Sequence, residues 1–150
     1  MSEKFPTHTH ALPAAAVAQQ APWVLVIDDE EAVRFVYRRM IAASGYRVDT
    51  CGTLDEAVEF LGSRRYIAVV TDLRLAGSDG SEGLAVVSCS RAYQPQAKVI
   101  VMTGYGSEED SLARGASFFL KKPLEPSLIL ELLGRIREQA GGEAAREPDA

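Results

Sequence analysis

Five short runs of apolar, largely β-branched residues alternate with stretches of helical periodicity, and this alternation leaves few folds open to a chain of 150 residues. The first run, WVLVI (Trp23 to Ile27), is unbroken and too short for a helix, so it reads as a buried strand. Val33, Val36, Tyr37, Met40 and Ile41 then recur at helical offsets, and Gly45 follows where a helix end takes a left-handed residue. Tyr46 to Thr50 makes a second strand, and Thr53 with Glu56 forms a capping box ahead of Leu54, Ala57, Val58 and Leu61. A third strand, Ile67 to Thr71, leads through a Gly/Ser/Asp loop to a modest helix from about Leu84 to Ala92. The fourth, Lys98 to Thr103, precedes a short helix capped by Ser107 with Asp110. The fifth, Phe118 to Lys121, precedes a helix marked by Leu128, Leu132, Leu133 and Ile136, with Pro126 in its first turn. Strands that are apolar on both faces need cover on both. The pattern therefore predicts an α/β fold with a five-stranded parallel sheet, doubly wound, with helices on both faces.

With 47% hydrophobic and 25% charged residues the chain has material for one core. Residues 1–21 read as a flexible N-terminal tail, 22–139 as the folded domain and 140–150 as a flexible polar C-terminal tail. AAAVAQQA imitates a signal-peptide cleavage region, but no strong apolar segment precedes it and Glu3 offsets Lys4, so the tail is the better reading. His8 and His10 alone are too few ligands for a metal site. The net charge of −5, with no basic patch, argues against direct nucleic-acid binding. No apolar run approaches the roughly 20 residues of a bilayer span, so no membrane insertion is expected. Cys51 and Cys89 assemble neither a disulfide framework nor a zinc spacing, which fits reduced thiols and a cytoplasmic location.

In an open parallel sheet the chemistry lies beyond the carboxyl ends of the strands. Strand one ends in Asp28-Asp29-Glu30, strand three in Asp72, strand four in Thr103 and strand five in Lys121-Lys122-Pro123. Taken singly each has a bland explanation: an acidic helix cap, a turn aspartate, a strand-forming threonine, a solvated lysine. Together they line one edge of the sheet. Carboxylates converging there repel one another unless a pKa rises or a cation binds, and hard oxygen donors favour Mg2+. Adding a hydroxyl and an ammonium group outlines a volume suited to a phosphoryl group.

At these residues the chain resembles the receiver domains of bacterial two-component response regulators, in the stand-alone form of the chemotaxis regulators. VLVIDDEE, VVTDLRLAGSDG, VIVMTGYGS and GASFFLKKP follow that family's order and spacing. The resemblance implies a flavodoxin-like fold with Asp72 as phosphoacceptor. It also implies magnesium held by Asp29, Asp72 and the backbone carbonyl of Arg74, with Asp28 acting largely through water. Thr103 and Lys122 would contact the phosphoryl oxygens, while Lys121, pointing the other way along the strand, would be solvated. Thr103 and Phe119 would form the switch, and Arg74 and Tyr105 would line the path of the water that ends the phosphorylated state. Ala76 replaces a frequent proline and Phe119 a frequent tyrosine, so no phenolic hydroxyl is available to the switch.

The function implied is a phosphorylation-operated switch. A sensor histidine kinase or phosphotransfer protein would load Asp72, and a downstream protein target would read the altered face, with no chemistry beyond the domain's own phosphorylation and dephosphorylation. A haloacid-dehalogenase-like phosphohydrolase would need a carboxylate two residues after its aspartate, where Arg74 stands. No GxxxxGK[ST] motif supports nucleotide binding. A pseudo-receiver scaffold is disfavoured because Asp28, Asp29, Asp72, Thr103 and Lys122 are all in place. Trp23, on the strand leading to the acidic pair, is expected to report binding there through its fluorescence.

Overall fold

The computed structural model describes residues 21–75, 81–104 and 106–146, with side chains through residue 142. The two expected tails thus lie outside it except for Ala21 and residues 140–146, as do Ala76 and Tyr105. Five strands, β1 (Trp23–Ile27), β2 (Arg47–Cys51), β3 (Ala68–Thr71), β4 (Lys98–Thr103) and β5 (Phe118–Lys121), form one parallel sheet in the order β2-β1-β3-β4-β5. The helices between and after them are α1 (Glu31–Ala43), α2 (Leu54–Ser63), α3 (Ser81–Tyr93), α4 (Glu108–Ala113) and α5 (Pro126–Arg146).

The alternation of side chains along each strand divides the interior in two. Leu25, Ile27, Val69, Val99 and Val101 pack with Ala57 and Leu61 of α2 and Val86 and Val87 of α3. On the other face Val24, Val26, Val70, Ile100 and Met102 meet Tyr37 and Ile41 of α1 and Ile129, Leu132, Leu133 and Ile136 of α5. The doubly wound expectation is met. Val36, counted on the apolar face of α1, is instead 45% exposed next to Phe35.

The local signals act as their chemistry dictates. Thr53 Oγ1 accepts from the Glu56 amide at 3.2 Å, and the Glu56 carboxylate reaches back to the Gly52 amide at 3.0 Å. Ser107 accepts from the Asp110 amide in the same way, and Gly45 takes φ +98° after α1. Two helix limits differ from the sequence reading. α3 begins at Ser81 rather than near Leu84. α5 continues through Gly141 and Gly142, where a polar tail was expected, to Arg146. A helix glycine costs only about 1 kcal/mol relative to alanine, and the glutamates, alanines and arginine around this pair are strong helix formers.

β1 sits between β2 and β3, so the chain turns opposite ways from it. The crevice at such a reversal opens at the carboxyl ends of β1 and β3, which here deliver Asp28 and Asp72.

Candidate functional site

The ladder carries Asp28, Asp72 and Lys122 one step beyond their strands, and Thr103 is the last residue of β4. The Asp28 amide donates to Cys51 O at 3.1 Å, the Asp72 amide to Ile27 O at 3.1 Å, and the Lys122 amide to Thr103 O at 2.9 Å. These bonds fix the backbone at the points where Asp28, Asp72 and Lys122 leave the sheet. Asp28 and Thr103 are each 1% exposed and Asp72 8%, whereas Asp29 and Arg74 are exposed.

Lys122 crosses the crevice from β5. Its Nζ lies 2.8 Å from Asp72 Oδ2 and 3.5 Å from Asp28 Oδ2, which joins three strand ends through one ammonium group. Lys121 is exposed and has no ion pair among the described residues, as its opposite position along the strand requires. The remaining carboxylate oxygens are held by the backbone: Asp28 Oδ1 accepts from the Glu30 amide at 2.9 Å and Asp72 Oδ1 from the Arg74 amide at 3.0 Å. Glu30 occupies the N-cap of α1 without a side-chain capping bond, so helix capping does not explain its acidity.

The electrostatics follow from burial. Desolvation raises the Asp28 pKa, and the charges of Asp72 and Asp29 push the same way, against the Glu30 amide and Lys122. Burial alone would lower the pKa of Lys122. Its hydrogen bond to Asp72 and the charges of Asp28 and Asp72 outweigh that and hold it above its ordinary value, so the ammonium stays charged.

A cleft of about 260 Å³ opens beside these groups, lined by Asp29, Glu30, Asp72, Arg74 and Lys122. Among the described residues no group of three or more histidines, cysteines, aspartates or glutamates is disposed to hold a metal by side chains alone. Magnesium does not require one, since it keeps several waters and takes one or two carboxylates. Asp29 and Asp72 facing one cleft, beside the turn that bears Arg74, fit that requirement as a hard-oxygen donor set.

Phe119 is half-buried against the cluster that contains Val99 and Val101, and Thr103 lies on their side of β4. The expectation for Tyr105 falls outside the described residues. Trp23 is at the wrong end for a reporter. It begins β1, roughly 13 Å along the strand from Ile27 at about 3.3 Å per residue, with the Arg64 and Arg47 guanidinium groups 3.6 and 4.8 Å from its ring centroid. Two residues escaped the sequence reading. Arg34 donates through Nη1 to Asp28 O at 2.6 Å, and Gly83 brings α3 against the backbone of Leu73, donating to Leu73 O at 3.1 Å. Neither carries a motif: one is a charge among helix polar residues, the other a glycine in a glycine-rich stretch.

The profile of the response regulator receiver domain matches residues 24–134. The photosynthetic apparatus regulatory protein RegA of Rhodobacter capsulatus is 31% identical over 128 residues, 83% of this chain and 65% of RegA. A response regulator from Burkholderia pseudomallei, solved with a phosphorylated aspartic acid, calcium ion and citrate, superposes with a TM-score of 0.68 at 30% identity, covering 85% of this chain and 75% of that one. The receiver domain of the sensor histidine kinase PA1611 of Pseudomonas aeruginosa, with magnesium coordinated in its active-site cleft, superposes at 0.66 with 26% identity, covering 77% and 96%. The chain spans about a quarter of the length of several curated relatives that it matches.

Proposed function

The chain belongs to the response regulator receiver-domain family, and from that premise we propose that Asp72 is its phosphoacceptor, with Lys122, Thr103 and a magnesium ion completing the site. The observation that carries this is the convergence of Asp72, Asp28 and Lys122 beside a cleft that Asp29 and Arg74 also line. In the reaction an Asp72 carboxylate oxygen bonds to phosphorus as the P–N bond of a donor phosphohistidine breaks. The electron pair stays on the imidazole nitrogen, which takes a proton from water. Lys122, freed from its pair with Asp72, turns its charge to the phosphoryl oxygens, and the Thr103 hydroxyl donates to another. Bound magnesium would add charge neutralisation on those same oxygens. Asp29, Asp72 and the Arg74 carbonyl would hold it, with Asp28 acting through water.

Thr103 moving toward the phosphoryl group leaves space beside β4 that the Phe119 ring can fill, and this alters the surface read by a downstream protein. A histidine kinase or phosphotransfer protein is the donor. The domain performs no turnover on other substrates and makes no direct contact with nucleic acid; its place is the cytoplasm. Among the described residues no helix is long and apolar enough to cross a membrane.

The decisive measurement is intact mass after incubation with magnesium and acetyl phosphate. A gain of one phosphoryl group that Asp72→Asn abolishes is the expected result; no gain at any donor concentration would instead support a scaffold that is never phosphorylated.

A further inference from the structure

We propose that Arg34 is a positioning residue for the magnesium site: its guanidinium holds the Asp28 carbonyl and thereby the loop that presents Asp28 and Asp29. This rests on the reading of the cleft given above and extends it to a residue that touches neither metal nor phosphoryl group.

Asp28 and Asp29 belong to the short connection between β1 and α1, and Asp29 is exposed, so packing does little to fix it. The Asp28 amide is tied to Cys51 O, the Glu30 amide to Asp28 Oδ1, and the Asp28 carbonyl to Arg34 Nη1 at 2.6 Å. Lys122 reaches the Asp28 carboxylate, at 3.5 Å, from β5. The Arg34 side chain instead reaches back from the first turns of α1 and holds the backbone of the connection itself. Its bond is also charge-assisted, hence short and strong for a bond to a neutral acceptor. The Arg34 amide in turn donates to Glu30 O at 3.1 Å, so α1 grips the connection from two sides.

The neighbouring connection, between β2 and α2, is shaped to admit the guanidinium. A Cβ at residue 52 would stand 2.8 Å from Arg34 Nη1 and 3.5 Å from Asp28 O, and the chain has glycine there. The Gly52 amide is held by the Glu56 carboxylate at 3.0 Å, so the glycine cannot readily drift. Glu56 is itself held below the usual carboxylate range, first by that amide and in smaller part by the charge of Arg34. A glycine-walled seat on β2–α2 thus receives an arginine from α1 that braces the carbonyl of β1.

Because an outer partner of a metal site typically changes affinity tenfold or more, losing this brace should weaken magnesium binding while leaving the chemical groups intact. The test uses the full chain, magnesium titrated calorimetrically, and acetyl phosphate as donor. Arg34→Met keeps the length and removes the donors; Gly52→Ala evicts the guanidinium with one methyl group against the flexible end of a side chain. Each is expected to raise the magnesium Kd about tenfold and to leave the phosphorylation rate at saturating magnesium within about twofold of wild type. The double variant should be no worse than either single one, and Arg34→Lys should recover most of the affinity. Thermal melts check that the variants are folded. If Arg34→Met and Gly52→Ala bind magnesium like wild type, or if their effects multiply, the inference is wrong. Should wild type itself neither bind magnesium nor become phosphorylated, the reading of the cleft fails first and takes the inference with it.

Discussion

A buried carboxylate beside two others is a liability that a site accepts for its chemistry. Asp28 is 1% exposed, its pKa raised chiefly by burial, and Lys122 approaches it only to 3.5 Å. Replacing it with asparagine preserves the acceptor for the Glu30 amide and removes a desolvated charge. Asp28→Asn should therefore stabilise the metal-free domain by about 1 kcal/mol while weakening magnesium binding. Urea midpoints and magnesium titration check the two halves separately. Arg74 shows the same economy at the mouth of the cleft, where its exposed side chain stands beside the proposed phosphoryl position. We propose that Arg74 and Tyr105 obstruct in-line approach of water to phosphorylated Asp72. Arg74→Ala, Tyr105→Ala and the double variant should each lose phosphoryl faster than wild type; unchanged or slower loss in all three excludes obstruction.

Among the elements, α3 is seated directly against the residue that follows Asp72. A Cβ at residue 83 would lie 2.2 Å from Leu73 Cα and 2.3 Å from Leu73 O, both backbone atoms that no side-chain rotation can move. Leu73 follows Asp72 directly. Gly83→Ala should cost about 3 kcal/mol of stability, read as a lower urea midpoint, and should slow phosphorylation of Asp72 because the Leu73 backbone must move. The alternation of strands and helices was legible because periodicity is a local property, and so were the capping pairs Thr53–Glu56 and Ser107–Asp110. The start of α3 was not, since a glycine that serves a close approach reads like a glycine that serves a loop. Nor was Gln94, which accepts from the Tyr66 amide and donates to Leu61 O and Arg64 O, joining segments some 30 residues apart without any motif.

Across the whole molecule the strand-end residues could be read because parallel topology forces them to one edge. Asp28, Asp72 and Lys122 meet for that reason, although the distances among them depend on the full sheet order. Trp23 misled because adjacency along a strand of five residues resembles proximity, whereas the strand carries it to the far edge. The titration of the fold is also a global property. Burial pushes the Cys51 thiol up to about 12, with the Glu56 charge acting the same way, and burial with the Asp49 hydrogen bond pushes Tyr66 up as well. In the unfolded chain the thiol ionises near about 8.5 and the phenol near about 10, so above those values the unfolded state binds fewer protons than the folded one. The part of the stability that these two groups contribute should be full below about pH 8 and decline from about pH 8.5 to 12. Urea midpoints at pH 7, 9 and 10.5 measure the decline, and Cys51→Ala should flatten its first part.

The sheet that separates the two packed interiors is one residue thick, and it acts as a bulkhead. Phe119 is packed against the cluster on the side of the sheet that α2 and α3 cover, and Thr103 shares that side of β4, while α1 and α5 lie across the partition. On the reading proposed above, motion of that pair would begin in one compartment and reach α1 only across the whole thickness of the sheet. The surface that changes would then be the one at the edge strand β5, between the helices α4 and α5 that precede and follow it.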